Sequence, residues 1–364
     1  MSLRFHWRLP QAGEESTASR GAASANRETG IPDIESLTGF CQAAEVSGMD
    51  SLLVDFGWAK PDPIVLSAVL GTRTRSIRFL MAWRSGLISP TMFVQQLNTL
   101  STIIAGRFSL NIVAGHSPQE QRGYGDFLAH DDRYARTEEF LAVCNAFWRQ
   151  EQPVDFRGAH YTIEQGRVNT PFVSPTEAAP EIYIAGNSPQ AREVAIRQGS
   201  CWMLMAETPE KMRALAPPAL DAGKTVGVRL SVIARETGQE ARSAARAMVA
   251  AAVRDQQLES RFIGTSDSPT MRARFDAASD SEWLTPVFWN GALRSHGPAA
   301  AALVGSAEDI AETLLEYGEA GVTQFILSGW PKLEEMLFFG NEVMPLVRAA
   351  EETGAVAAGE AESQ

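Results

Sequence analysis

A closed barrel of eight parallel strands wrapped by helices is the fold this sequence predicts, on three observations. Short β-rich runs alternate with longer segments of helical spacing along most of the 364 residues, the pattern of repeated β/α units. The β-rich runs number eight, the count at which such a sheet closes on itself. The turn after the first run, Pro10-Gln11-Ala12-Gly13-Glu14-Glu15, lacks the G-x-G-x-x-G fingerprint that an open dinucleotide-binding sheet carries there.

In order, strands are predicted over 4–9, 51–56, 77–83, 108–115, 181–186, 201–206, 228–235 and 324–329. Helices are predicted over about 33–48, 63–75, 90–105, 132–150, 189–199, 209–222, 238–255 and 306–319, the last preceding the final strand. Asp62-Pro63, Ser89-Pro90, Ser117-Pro118 and Thr208-Pro209 each place a capping side chain before a proline at the first helical position, where the missing N–H costs no hydrogen bond. Ser117-Pro118-Gln119-Glu120 also has the spacing of a capping box. Three stretches interrupt the alternation: a polar first βα loop at 11–31, and insertions at about 151–180 and 256–303, lengths typical of functional or disordered loops. One barrel is expected over 1–352, with a flexible Ala/Gly/Glu-rich tail over 353–364 that frays from Gly354.

Composition narrows the function classes. A net charge of -12, from 44 acidic and 32 basic residues, provides no overall field for nucleic acid or an anionic membrane. No stretch approaches the roughly 18 apolar residues of a membrane span, and no signal-peptide pattern follows Met1. Cys41, Cys144 and Cys201 lie far apart without metal-ligand spacing, as expected of buried thiols in a reducing compartment. A cytoplasmic location is expected.

In a β/α barrel the chemistry sits at the C-terminal ends of the strands. Candidates by that rule are His6, Trp7, Lys60, Trp83, Arg84, Ala114, Gly115, His116, Ser117, Gly186, Asn187, Ser188, Glu207, Arg229, Ser231, Arg294 and Trp330. Trp7 and Lys60 are candidate substrate contacts, with a solvated side chain as the alternative for Lys60. At Ala185-Gly186-Asn187-Ser188-Pro189 a strand ends in glycine and a helix begins at serine, a cradle for a phosphate or an ordinary capped turn. Arg229 and Ser231 share one face of the seventh strand, and a buried arginine there needs an anion or a carboxylate. Arg294 stands in a small-residue loop suited to closing over an anion, or to solvent. The histidines lack H-E-x-x-H spacing and no G-x-S-x-G elbow occurs, so no metal is expected and a serine hydrolase is a weak alternative.

Several stretches, in order along the chain, carry a family resemblance: Arg78 to Pro90, Gly106 to Gly115, Arg122 to Asp126, His130 to Tyr134, the Ala185 to Ser188 turn, Ala302 to Ser306, and Phe325 to Glu335. The sequence resembles the luciferase-like flavin monooxygenases, closest to the alkanesulfonate monooxygenase branch. The resemblance implies a (β/α)8 TIM barrel of the bacterial-luciferase type. It further implies a two-component enzyme that takes FMNH2 from a separate NAD(P)H-dependent flavin reductase and uses O2, through a peroxyflavin, on a small organic substrate. Homodimers or homotetramers are expected by the same likeness. Gly186, Asn187 and Ser188 would receive the flavin phosphate, Ala114, His116, His130 and Tyr134 would border the flavin, and Arg294 and Arg229 would stabilise developing negative charge. Departures fall on the substrate side. Ser231 replaces a histidine of the sulfonate branch, Lys60 a cysteine, and Met205 and Trp330 stand at its other aromatic positions. The flavin half thus looks retained and the substrate half rebuilt, for an alkanesulfonate-like compound, a specialised metabolite or a carrier-tethered substrate. A non-catalytic flavin-binding role and deazaflavin hydride transfer are the alternatives.

Overall fold

The computed structural model describes residues 2–11, 31–58, 60–252, 266–268, 272–273, 276 and 281–362. The expected 11–31 loop therefore lies largely outside the described residues, as does much of the 256–303 insertion.

Proline-led helix starts form as the sequence indicates: the side chains of Asp62, Ser89, Ser117, Ser188 and Thr208 each accept a first-turn backbone N–H of the helix they precede. The barrel comprises β1 (Arg4–Arg8), β2 (Ser51–Val54), β3 (Arg78–Trp83) and β4 (Phe108–Val113). A hairpin follows, β5 (Val154–Arg157) antiparallel to β6 (Thr162–Gly166), where an extended insertion was expected. The barrel resumes with β7 (Ile182–Ala185), β8 (Cys201–Met205) and β9 (Thr225–Arg229). A small sheet of β10 (Ser231–Ala234), β11 (Phe288–Trp289) and β12 (Ala302–Gly305) stands outside it, and β13 (Val322–Leu327) completes the ring. The order β1-β2-β3-β4-β7-β8-β9-β13 returns to β1 through parallel pairs.

The expected strand over 228–235 is therefore two strands. Leu230 N still bonds to Ile326 O of β13, but Ser231 N turns to Ala301 O, and β10 then pairs with β12. The apolar alternation continues across the break; what changes is the pairing partner, which periodicity does not report. The expected 209–222 helix is likewise divided, into Pro209–Leu215 and Pro217–Leu220, since Pro217 and Pro218 lack the N–H groups a continuous helix uses. After β13 the chain forms helices Lys332–Phe338 and Met344–Glu362, which the sequence reading missed. The second carries helical backbone through the stretch expected to fray.

Side chains facing the barrel axis are polar at mid-depth. The His6 ring joins Ser51 Oγ (Nδ1, 2.7 Å) and Gln324 Oε1 (Nε2, 3.1 Å), and Tyr183 Oη donates to the same Gln324 oxygen at 3.0 Å. Because that oxygen can only accept, Nε2 carries the proton and Nδ1 accepts from Ser51. Burial, with the nearby Arg4 charge, lowers the His6 pKa to about 4. At the strand starts, Arg4 forks onto Glu181 and Arg78 onto Glu177, so ion pairs close the N-terminal end. Cys41, Cys144 and Cys201 are buried free thiols, and no described helix is long and apolar enough to cross a membrane.

Since His6 titrates lower in the folded than in the unfolded chain, its stabilising share is complete above about pH 6.5 and is lost as pH falls through about 4. Thermal unfolding between these limits should show a smaller acid-induced drop in His6→Gln than in the parent. An equal drop would assign the acid sensitivity to other groups.

Candidate active site

The turn after β7 is fixed from three sides. Gly186 N donates to Met203 O (3.0 Å) and Trp202 Nε1 donates to Gly186 O (2.8 Å). Asn187 joins Met205 in both directions, its Oδ1 accepting from Met205 N (2.9 Å) and its Nδ2 donating to Met205 O (3.3 Å). The Asn187 side chain thus extends the β7–β8 pairing rather than facing a ligand. Tyr134 Oη donates to Ala185 O at 3.2 Å, and burial pushes its pKa up to about 12, so it stays a neutral donor. Gly186 has φ of 146°, and a Cβ there would stand 2.3 Å from Tyr134 Oη and 2.8 Å from Ala191 Cβ. Only glycine fits. Ser188 caps helix Pro189–Gln198, whose N-terminus offers N–H groups and a positive dipole end to an anion.

Beside this turn, the end of β4 is held by an arginine of the His130 to Tyr134 stretch that is not among the individual candidates. Arg133, 2% exposed, donates to Ala114 O (2.9 Å), Leu128 O (2.9 Å) and Gly115 O (3.3 Å), and pairs with Asp267 at 2.7 Å. Ser266 Oγ and Asp267 N both donate to His116 O, so two hydrogen bonds tie this part of the 256–303 insertion to the β4 loop, beside the Asp267 pair with Arg133. Burial lowers the His116 pKa. The His130 ring lies 5.2 Å from Tyr134, edge to face, and bonds to Asp131 at 2.9 Å. The expected capping box at Ser117 is only half made: Ser117 accepts Glu120 N, but the Glu120 carboxylate goes to Trp58 N and Arg84.

On the opposite wall, Arg229 donates to Leu230 O (2.7 Å), Ile326 O (3.2 Å) and Ser328 Oγ (3.1 Å). Ser231 Oγ donates to Ala299 O and lies 3.0 Å from Ser328 Oγ. With its one proton so committed, Ser231 accepts from Ser328, giving a directed chain Arg229 to Ser328 to Ser231 to Ala299 O. Ser231 is fully buried and fixes the arginine instead of meeting a substrate. Ser328 was legible: it continues the inward series Gln324, Ile326 at period two. Trp330 packs edge to face on His296 at 5.2 Å. Arg294 lies in the short helix Leu293–His296; its side chain lies outside the described residues. Met205 ends β8 half-buried, and Lys60 is half-buried in the loop after β2. Trp7 is a correction. Its indole is 0% exposed and packs 5.7 Å from Phe339 in the layer outside the barrel, because on β1 the alternation turns His6 inward and Trp7 outward.

Residues 6–324 match the family described as luciferase-like monooxygenase. The chain belongs to that family. Its luciferase-like barrel is similar to the EDTA monooxygenase of Chelativorans sp. BNC1, with a TM-score of 0.76 at 19% identity over 96% of this chain and 94% of that one. It is also similar to DmoA from Hyphomicrobium sulfonivorans (0.74, 17%, covering 96% and 88%). A third likeness is to a riboflavin lyase solved with modified FMN and riboflavin (0.72, 20%, covering 96% and 92%). At these identities the likenesses establish the fold. In this luciferase-like chain the groups that converge are Ala114, Tyr134, Gly186, Asn187 and Ser188 on one wall and Arg229 with Ser231 on the other. No cluster of metal-ligating side chains occurs among the described residues.

Gly186→Ala should lower stability by about 1–3 kcal/mol and distort the turn, read by chemical denaturation; unchanged stability would mean that Tyr134 can retreat without cost. Ser188→Asp sets a negative charge at the helix start and should weaken binding of a phosphate-bearing ligand held there roughly tenfold or more, measured by fluorescence titration with FMN as the probe. Unaltered affinity would place the phosphate elsewhere.

Proposed function

We propose that this chain is the oxygenating component of a two-component monooxygenase that takes reduced FMN from a separate NAD(P)H-dependent reductase and uses O2 on a small organic substrate. The observation that carries the reading is the Gly186 turn, a cradle with no room for a Cβ set against a capped helix start of ten residues. A phosphate monoester fits that donor set. When bound, reduced FMN supplies the electrons that activate O2 for transfer of one oxygen atom. The protein's share is positional. Ser188 and the helix start would hold the phosphate, Tyr134 and His130 would stand beside it as neighbouring polar side chains, and Arg133 fixes the Ala114 and Gly115 carbonyls at the end of β4.

On the substrate side, Arg229 presents a guanidinium oriented by Ser328 and Ser231, suited to negative charge developing during oxygen transfer. Ser231 holds no transferable proton comparable to an imidazole. This favours a substrate whose oxidation needs no strand-borne acid or base, a specialised metabolite rather than an alkanesulfonate. Self-association into a homodimer or homotetramer accompanies this reading.

Anaerobic titration followed by stopped-flow mixing with oxygenated buffer tests the proposal. Reduced FMN should bind, reoxidise with kinetics distinct from the free flavin, and, with a reductase and NAD(P)H, support substrate-dependent O2 uptake with diminished H2O2 release. Tight binding of oxidised FMN together with unaltered reoxidation kinetics would indicate a flavin-binding protein without oxygenase activity.

A further inference from the structure

Arg84 is the first residue beyond β3 and is 5% exposed, a guanidinium withdrawn from water at the open end of the barrel. Its Nη2 donates to Glu120 Oε2, while Glu120 Oε1 accepts Trp58 N at 2.9 Å, so both carboxylate oxygens are engaged. Arg84 Nε and Nη1 are buried and have no hydrogen-bond partner among the described residues. A buried donor without an acceptor is costly, and a guanidinium does not shed its proton. Two such donors, on different edges of one guanidinium, call for a ligand that brings an acceptor.

The neighbours locate that ligand. The guanidinium lies over Phe56, 5.1 Å from the ring centroid, with Tyr124 at 5.9 Å. Nε stands 3.3 Å from where a Cβ on Gly115 would be, so Arg84 abuts the end of β4. In the barrel β3 adjoins β4, and β4 adjoins β7, whose end forms the Gly186 turn. Two strand spacings are roughly 10 Å, a span comparable to a ribityl chain. A flavin anchored at Gly186 and lying across β4 would bring its ring to Arg84. Glu120 neutralises the arginine at close range, which suits an acceptor with delocalised charge better than a fully charged anion.

Resting on the flavin reading above, we propose that Arg84 holds the pyrimidine edge of the flavin. Its open Nε–H, the donor that abuts Gly115, points at the N1 and C2 carbonyl edge, where the reduced anion concentrates its charge, and so favours the reduced form over the oxidised one.

The test is anaerobic titration of the parent chain, Arg84→Lys and the double variant Arg84→Gln/Glu120→Gln with oxidised and with reduced FMN, each protein first matched by circular dichroism. The double variant leaves no carboxylate buried alone. Arg84→Lys keeps the charge against Glu120 and preserves the test should the double variant fail to fold. Reduced FMN should bind the variants roughly ten- to a hundredfold more weakly and oxidised FMN by no more than about threefold, with the midpoint potential of bound flavin falling accordingly. Equal weakening of both forms, or none in either, would overturn the assignment and leave Arg84 as the structural partner of Glu120. A parent chain that binds neither form would remove the flavin reading itself, and this inference with it.

Discussion

The backbone hydrogen bonds that join β1 to β2 on one side and to β13 on the other leave the parallel sheet without an edge, and that closure governs the rest of the molecule. It makes every second side chain of each strand face a shared axis. Those side chains must satisfy one another away from water, which the His6, Ser51, Gln324 and Tyr183 group does with both imidazole nitrogens and the Tyr183 hydroxyl engaged. Closure also gives the barrel two unequal ends. Arg4 with Glu181 and Arg78 with Glu177 seal the strand starts, while the strand ends carry irregular loops and a site.

At that open end the two walls are organised differently. On the β4 and β7 side a single buried cation, Arg133, gathers three main-chain oxygens and the Asp267 carboxylate. Burying so many donors is tolerable because each meets an acceptor. The arrangement couples an insertion far away in sequence to the loop that borders the proposed flavin. On the β9 and β13 side, Arg229 is aligned by two serine hydroxyls, one of them on a strand that has left the barrel. The departure of the chain at Leu230 is thus what allows Ser231 to brace the arginine from outside the ring.

Much of this was legible from local chemistry. Seven of the barrel strands appeared as β-rich runs, β9 being met only at its end by the run over 228–235, and serine, threonine or aspartate before proline marked helix starts that formed as read. The Gly186 turn was visible because strand, glycine and capping serine are contiguous. Trp7 was misplaced although alternation alone would have turned it outward once His6 was set inward. Arg133 and Asp267 were not singled out because their importance comes from each other, 134 positions apart along the chain, whereas Ser328 could have been found from the period-two series that runs through Gln324 and Ile326.

By itself, then, the sequence determined the β/α alternation, the caps, the glycine–serine turn after β7 and the family, since each depends on residues adjacent in the chain and on backbone preferences that act locally. Only the tertiary structure decided where β9 ends and β10 begins, why Glu120 abandons its capping box for Arg84, and which buried cations are matched and which retain open donors. These are questions of which groups share space after closure, and hydrogen-bond partners across a barrel are selected by three-dimensional proximity that no run of neighbouring residues encodes.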